Sequence, residues 1–484
     1  MSAVEEPRDA GALERFGLTA LAYPPFVTFF SANLVSNASW FIFSAALNTY
    51  ILQVTGSAQD VGFASFVYSL PGALFMLHAG LLVDRFGSKR LVVLSLVGAG
   101  VAILAIGLLA LQTAPLAVLV GLAFVMGFFQ TLGSPAFISI VNDLVPPRAV
   151  SSAVALTFLG FNVGRILGGV LSGVLLVLLG SDVLIAAAGT IVVAGILQGL
   201  PAIPVAAIRV QESVARTTGR AMIRPLVETA AYVARNPTLA VIVVLSIAPG
   251  SFGLVYMFLL PVVIRDLGAD PGSIGLLYVG GGVGGLLAGL LAEPVMRRLG
   301  HGRAMFAGMA TVAAGLIAIG LAASLPVTPF AVGLTQAGFA IYASSALSLV
   351  QALAPARLRG RVTSIFTLLY WGLMPFGALL AGIVAERVGS LTTLIIGGSI
   401  ILGAGSLALL VRRQIATLRI ARDGRAVSGD LAGTGYVPEI RGGYAADRRV
   451  AVSSDGEGVG DGDGGGDGTS GAHEGPQGGS DGAR

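Results

Sequence analysis

Apolar residues in this chain come in long, almost unbroken runs, and its polar residues fall into short clusters between them. A membrane-crossing helix needs about 20 mostly apolar residues at 1.5 Å each. Cutting the runs at their charged or turn-forming breaks predicts six such helices in the first half, near 25–52, 60–83, 91–111, 115–140, 151–179 and 183–204. Six more follow near 238–264, 273–295, 304–324, 327–351, 362–386 and 391–411. Open backbone groups find no partner in lipid, and the alternation of a barrel strand is absent, so the runs predict helices.

The pattern also repeats. GLLVDRFGSKR (Gly80 to Arg90) returns as GLLAEPVMRRLGHGR (Gly289 to Arg303), and one offset, 293 − 84 = 209, persists from Pro146 to Pro355 and from Arg148 to Arg357. Glycine pairs at that offset are weak evidence in a chain with 69 glycines; the acid, proline and arginine pairs are not. A repeat this long predicts an all-α membrane protein of twelve transmembrane helices, built as two pseudo-symmetric six-helix bundles facing each other across a pathway. The expected organisation is a lead-in (1–22), a first bundle (23–204), a polar linker (205–236), a second bundle (237–412) and a tail (413–484). Within the linker, PLVETAAYVARN predicts an amphipathic helix with Pro225 in its first turn. The glycine- and aspartate-rich tail is expected to be disordered, and its Asp-Gly spacing lacks the closing glutamate of a hand-type calcium loop.

Composition agrees on the solvent. Of 484 residues 55% are hydrophobic and 11% charged, whereas soluble domains carry about 25% charged residues. There is no cysteine, which removes disulfides and thiolate metal sites. Lys89 is the only lysine among 29 basic residues. Seventeen of the basic residues flanking the predicted spans lie on one side, and only Arg265 and Arg387 on the other. By the positive-inside rule this predicts a multi-pass protein of the cytoplasmic membrane with both termini in the cytoplasm. The acidic N-terminal lead-in lacks the features of a signal peptide.

The string from Gly80 to Arg90, between the second and third spans, resembles the signature loop of the major facilitator superfamily. SPAFISIVNDLVPPRAVSSAVAL (134–156), FNVGRILGGVLSG (161–173) and LRGRVTSIFTLLYWGLMPFGALLAGIVAERVG (358–389) are similar to its twelve-span drug- and siderophore-exporting branch, which includes transmembrane secretion effector-like proteins. The resemblance covers about residues 20–412. It implies gating residues at Gly80, Asp84, Arg85, Gly87, Lys89 and Arg90, with Asp84 latching the second helix to the start of the eleventh near Arg359 and Arg361 in the outward-open state. Glu293, the repeat counterpart of Asp84, is then expected to address the start of the fifth helix near Arg148. The competing reading is that these charges only fix topology. Ser88 departs from the family's usual basic residue, and Gly169 stands where the antiporter signature has proline. The fourth helix lacks the buried arginine of many proton antiporters, so proton coupling does not carry over.

Polar residues inside the spans mark the candidate pathway. Arg165 lies about 15 residues into the fifth helix, where an arginine costs about 2.5–3.5 kcal/mol on insertion scales. It is expected to read a substrate or counter-anion, or else to be a structural arginine held by Asn162. Asn33, Asn37, Ser44 and Asn48 recur on one face of the first helix beside Trp40 and Phe41, as cavity lining or as interhelical contacts. Gln130, Tyr256, Gln336, Tyr370 and Trp371 are further candidates, with ordinary packing the rival reading for each aromatic. No Asp or Glu falls in the middle of any span, so a mid-membrane carboxylate relay is not supported.

The glycine run at 280–285 lies in an apolar helix with no strand before it, and no GxxxxGK[ST] string occurs, so neither a nucleotide fold nor an ATP drive is expected. The sequence and the resemblance together therefore predict not an enzyme but a secondary active transporter that works by alternating access and exports amphiphilic small molecules, drug-, macrolide- or siderophore-like, from the cytoplasm. Its expected partners are an amphiphilic small molecule, the lipid bilayer and a coupling ion; no cofactor, metal or nucleic acid is expected. Uptake, lipid-like flipping and a non-transporting membrane scaffold are the alternatives.

Overall fold

A computed structural model of the chain describes residues 18–185, 219–322, 324–420 and 426–428. Five long helices form the first part: α1 (Pro24–Thr55), α2 (Ala58–Phe86), α3 (Ser88–Leu111), α4 (Leu116–Leu144) and α5 (Val150–Leu179). An amphipathic helix α6 (Gly219–Arg235) precedes α7 (Pro237–Leu245) and α8 (Tyr256–Asp266), which together make the seventh span. The remainder comprises α9 (Ile274–Leu299), α10 (His301–Gly320), α11 (Thr328–Leu353), α12 (Arg359–Gly372), α13 (Met374–Val388) and α14 (Ser390–Val411). Among the described residues, ten helical stretches are long and apolar enough to cross a membrane. The predicted sixth span, 183–204, falls almost wholly outside the described residues.

Local chemistry sets the ends. Pro24 sits in the first turn of α1, where its missing N–H is not needed. The Ser57 side chain caps α2 by accepting from the Asp60 N–H at 3.2 Å. Gly180 and Gly389 close α5 and α13 with φ of 83° and 84°, a backbone state that side chains disfavour. The repeat is visible in these boundaries, since 359 − 150 and 388 − 179 both equal 209.

Packing repeats as well. In the first half α4 lies between α2 and α3 while α1 packs along α5; in the second, α11 lies between α9 and α10. Small residues let these helices touch through backbone. Side chains added at Gly308 and Gly338 would meet the neighbouring helix backbone at 2.6 and 2.5 Å. The halves join along two seams, α2 with α13 and α5 with α9.

Both seams close at one end only. At the arginine-poor end a Cβ on Gly62 would stand 2.6 Å from the Gly382 Cα, and one on Gly275 would stand 2.7 Å from the Gly169 carbonyl. At the arginine-rich end, a Cβ on Gly80, Gly87, Gly289 or Gly360 would meet nothing within 4 Å. Among the described residues, the close cross-seam approaches thus lie toward the arginine-poor end, Ala58 with Glu386, Gly62 with Gly382 and Gly173 with Gly272 included, and the arginine-rich end is the more open.

Three features differ from the sequence expectations. The linker helix begins at Gly219, so Pro225 lies within it rather than in its first turn. The seventh span is broken by a π turn at Pro249–Gly253, and the eleventh by a break between Gly372 and Met374; Pro249-Gly250 and Pro375 stand at the two breaks, inside runs expected to be continuous. The tail does not start unstructured. Arg413–Thr417 forms a 3-10 turn, followed by the antiparallel strands β1 (Leu418–Ile420) and β2 (Ala426–Ser428). Ile415 is fully buried against the start of α10, because Gly302 leaves room for its backbone. The rest of the tail lies outside the described residues.

Candidate functional site

Arg165, halfway along α5, is fully buried and reaches across the α5–α9 seam. Glycine makes the crossing possible: a Cβ on Gly281 of α9 would lie 2.9 Å from the guanidinium carbon. The Nη2 donates to the Tyr256 hydroxyl at 3.0 Å, and that hydroxyl donates to Gln336 Oε1 at 3.1 Å. The guanidinium also stands 5.5 Å from the centroid of the Phe41 ring. Asn162, one turn before Arg165, packs against Gly285 and donates from Nδ2 to the Phe158 carbonyl at 3.1 Å. Arg165 Nε and Asn162 Oδ1 are both buried without a hydrogen-bond partner among the described residues. Four predicted residues, Asn162, Arg165, Tyr256 and Gln336, therefore meet in one polar crossing between the halves, with Phe41 beside them.

The first-helix stripe divides. Asn37 donates to Asn33 at 2.9 Å, and both are part-exposed. Trp40 Nε1 donates to the Tyr68 hydroxyl of α2 at 2.8 Å. Ser44 and Asn48 are buried toward the closed end and line a small void with Ser65 and Tyr68. The divide falls where the molecule opens. On α4, Leu119, Ala123 and Met126 form a buried stripe, and the next residue on it, Gln130, is exposed. On α5, Phe158 shares the face of Asn162 and Arg165 and is 69% exposed. On the open side of Arg165, Asn33 and Asn37 are thus part-exposed and Gln130 and Phe158 exposed.

Tyr370 and Trp371 belong to a separate aromatic cluster. Tyr370 is buried, stacking on Phe339 at 5.3 Å and on Phe366 at 5.6 Å. Trp371 packs edge-on against Tyr370 at 5.2 Å and keeps 43% of its surface exposed. The structure does not bring these two to the Arg165 crossing.

The gating candidates sit at the splayed end. Gly87 ends α2 with φ of 82°, and Asp84 lies in the last turn of that helix. Arg85 stands over the Phe86 ring at 5.3 Å; Arg90 and Arg361 are exposed, and Lys89 is part-exposed. Glu293 pairs with Arg297 on its own helix at 3.7 Å, with both side chains at least 70% exposed. Arg148 donates instead to the Tyr23 hydroxyl at 3.4 Å, so the structure does not join Glu293 to it.

Sequence reasoning passed over the polar contacts of the closed end. Oε2 of Glu386, near the end of α13, accepts from the Ala58 N–H at 2.6 Å and from the Gln59 N–H and Ser57 hydroxyl at 3.2 Å each. Arg265 donates to the Gly56 carbonyl at 2.8 Å and pairs with Asp266 at 3.1 Å. Asp266 in turn accepts from the Ser390 N–H and hydroxyl at 2.9 and 2.6 Å. The available signal was the repeat itself: Glu386 corresponds to Val177 at the 209 offset, an unmatched acid at a span end.

Two repeated helical units, a seam closed at one end and a polar crossing at the apex of an open half make up the architecture of a multi-pass membrane transporter. The chain belongs to the major facilitator superfamily, whose description matches residues 29–376 and 243–427. It is similar to "Enterobactin exporter EntS" of Salmonella choleraesuis (strain SC-B67), with 26% identity over 82% of this chain and 94% of that protein. It is also similar to "Multidrug efflux pump Tap" of Mycolicibacterium fortuitum, with 26% identity over 75% and 90%. Among solved structures, the nucleoside transporter NupG matches with a TM-score of 0.65 at 12% identity, over 80% of this chain and 98% of that one. An inward-facing, unoccupied bacterial homologue of the lysosomal transporter Spinster matches with a TM-score of 0.60 at 15% identity, over 81% and 97%. These structural likenesses concern the fold alone.

Proposed function

We propose that the protein is a secondary active exporter that takes amphiphilic small molecules bearing an anionic or acceptor group from the cytoplasm and releases them outside. The observation that carries this reading is Arg165. It is a fully buried cation in the middle of a span with no ion pair to a carboxylate among the described residues, held by Tyr256 and faced by Phe41. A charge so placed is costly and is kept where it meets something. Aromatic and neutral polar neighbours suit loose recognition of an apolar body, while Arg165 supplies the one strong contact for its polar head. The two relatives named above, an enterobactin exporter and a multidrug efflux pump, support export over uptake.

The arginine-rich end faces the cytoplasm by the positive-inside rule, so this structure is the inward-open state. Alternating access then requires the seams of α2–α13 and α5–α9 to part outside as they close inside. Parting the α5–α9 seam breaks the Arg165–Tyr256 bond and exposes the guanidinium to the outer side. The test is accumulation of anionic, neutral and cationic amphiphilic dyes in everted membrane vesicles under imposed ion gradients. Export predicts uptake into these vesicles, strongest for the anionic dyes. Accumulation only in right-side-out vesicles reverses the direction, and none in either denies transport of these compounds.

A further inference from the structure

The polar contacts at the arginine-poor end have a geometry that the packing of apolar helices does not require. Helices α2 and α13 run antiparallel along one seam, so the start of α2 lies beside the end of α13. The first turn of a helix carries N–H groups without intrahelical partners and the positive end of the backbone dipole. Glu386 meets that need from the other half of the molecule: one carboxylate oxygen takes the Ala58 N–H, the Gln59 N–H and the Ser57 hydroxyl. Arg265, also from the second half, holds the Gly56 carbonyl just before the same turn. Four hydrogen bonds thus tie the turn between α1 and α2 and the first residues of α2 to the opposite half, and none of them survives separation of the seam at that end.

The far end of the same seam has the same kind of parts in exchanged positions. Asp84 lies in the last turn of α2, and the eleventh span, which ends in α13, begins with α12 at Arg359. There the seam is splayed, and Gly360 has nothing within 4 Å of its Cβ position. Each end therefore has an acid at the close of one helix and the N-terminus of the partner opposite it. Because α2 is a single helix of 29 residues, about 43 Å long at 1.5 Å per residue, the two ends move together.

We infer that Glu386 is a positioning residue for transport, an outer latch whose carboxylate caps α2 across the seam and holds the inward-open state, in alternation with the Asp84 end of the same helix. Arg265 serves the same latch through Gly56. Losing a helix cap of this kind changes the balance between the two states by about 2- to 30-fold. The inference rests on the alternating-access reading above but not on any substrate.

The absence of cysteine makes the test direct, since introduced cysteines are the only labelling sites. Spin labels on Val54→Cys and Val388→Cys report the arginine-poor end, and labels on Phe86→Cys and Ala356→Cys report the arginine-rich end; all four positions are exposed. Distances are read by pulsed electron resonance on the full chain in lipid nanodiscs, with no ligand added. Glu386→Ala is expected to lengthen the first distance and shorten the second in a population raised by the stated factor. Asp84→Asn is expected to do the reverse, and the double variant to return toward the parent. Arg265→Ala and Ser57→Ala shift the balance as Glu386→Ala does, by less, and serve if Glu386→Ala does not fold. Glu386→Asp restores part of the effect.

The inference is overturned if Glu386→Ala and Arg265→Ala leave both distance distributions unchanged, or broaden both ends alike without exchanging populations. Because no solute is involved, a failure of the export reading in vesicles leaves this result standing. A failure of the latch likewise leaves export untouched.

Discussion

Arg165 is where a single side chain departs furthest from what its surroundings favour. Burying a charge costs free energy unless hydrogen bonds and counter-charge offset it. Here the offsets are one hydroxyl at 3.0 Å and one ring face at 5.5 Å, with Nε left over. A residue kept only for packing is replaceable by an apolar side chain of similar volume at little or no cost. Arg165→Met is therefore expected to leave the thermal midpoint in detergent unchanged or higher while abolishing export, which separates a functional arginine from a structural one. Tyr256→Phe removes only the hydroxyl. It is expected to cost about 1.5–3 kcal/mol, the usual worth of a hydrogen bond to a charged group, read as a lower thermal midpoint with weakened transport. Arg165 was legible from sequence because a charge in an apolar run stands out. Its partners were less so, since Tyr256 and Gln336 lie 91 and 171 positions away (256 − 165 and 336 − 165).

Helix extents were largely readable, because apolar length fixes where a span starts and stops. The run predicted at 151–179 forms α5 as Val150–Leu179, and the one predicted at 391–411 forms α14 as Ser390–Val411. The breaks in the seventh and eleventh spans carry a signal, Pro249-Gly250 and Gly372 with Pro375, but membrane helices tolerate glycine and proline, so that signal does not by itself fix a break. Glu386 was missed for another reason: its partners are backbone N–H groups, which every sequence has. The seams lead to a prediction at this scale. A branched side chain at Gly275 has no room beside the Gly169 carbonyl, so Gly275→Val is expected to hold the arginine-poor end of α5 and α9 apart. Spin labels on Leu178→Cys and Leu276→Cys, both exposed, are expected to report a longer distance than in the parent. The segment after α14 adds another. Ile415→Asp places a carboxylate in a fully buried position, and a loss above about 2 kcal/mol is expected in thermal unfolding.

At the scale of the molecule the two halves are one scaffold used twice, with the working differences laid over it. The 209 offset sets helix boundaries and packing in both halves. Asn162 and Arg165 nevertheless have Trp371 and Met374 as their counterparts, and Glu386 has Val177. The first difference puts the cation on one side of the pathway only; the second puts a cross-seam acid at one end only. A symmetric frame that rocks, with an asymmetric site at its centre, is what export by alternating access requires.

The measurement that tests this account most directly is uptake of an anionic amphiphilic dye into everted vesicles, comparing the parent protein with Arg165→Met at matched membrane levels. The account predicts gradient-dependent accumulation by the parent and none above empty vesicles for the variant. Equal accumulation by both, or none by the parent for anionic, neutral and cationic dyes alike, would contradict it.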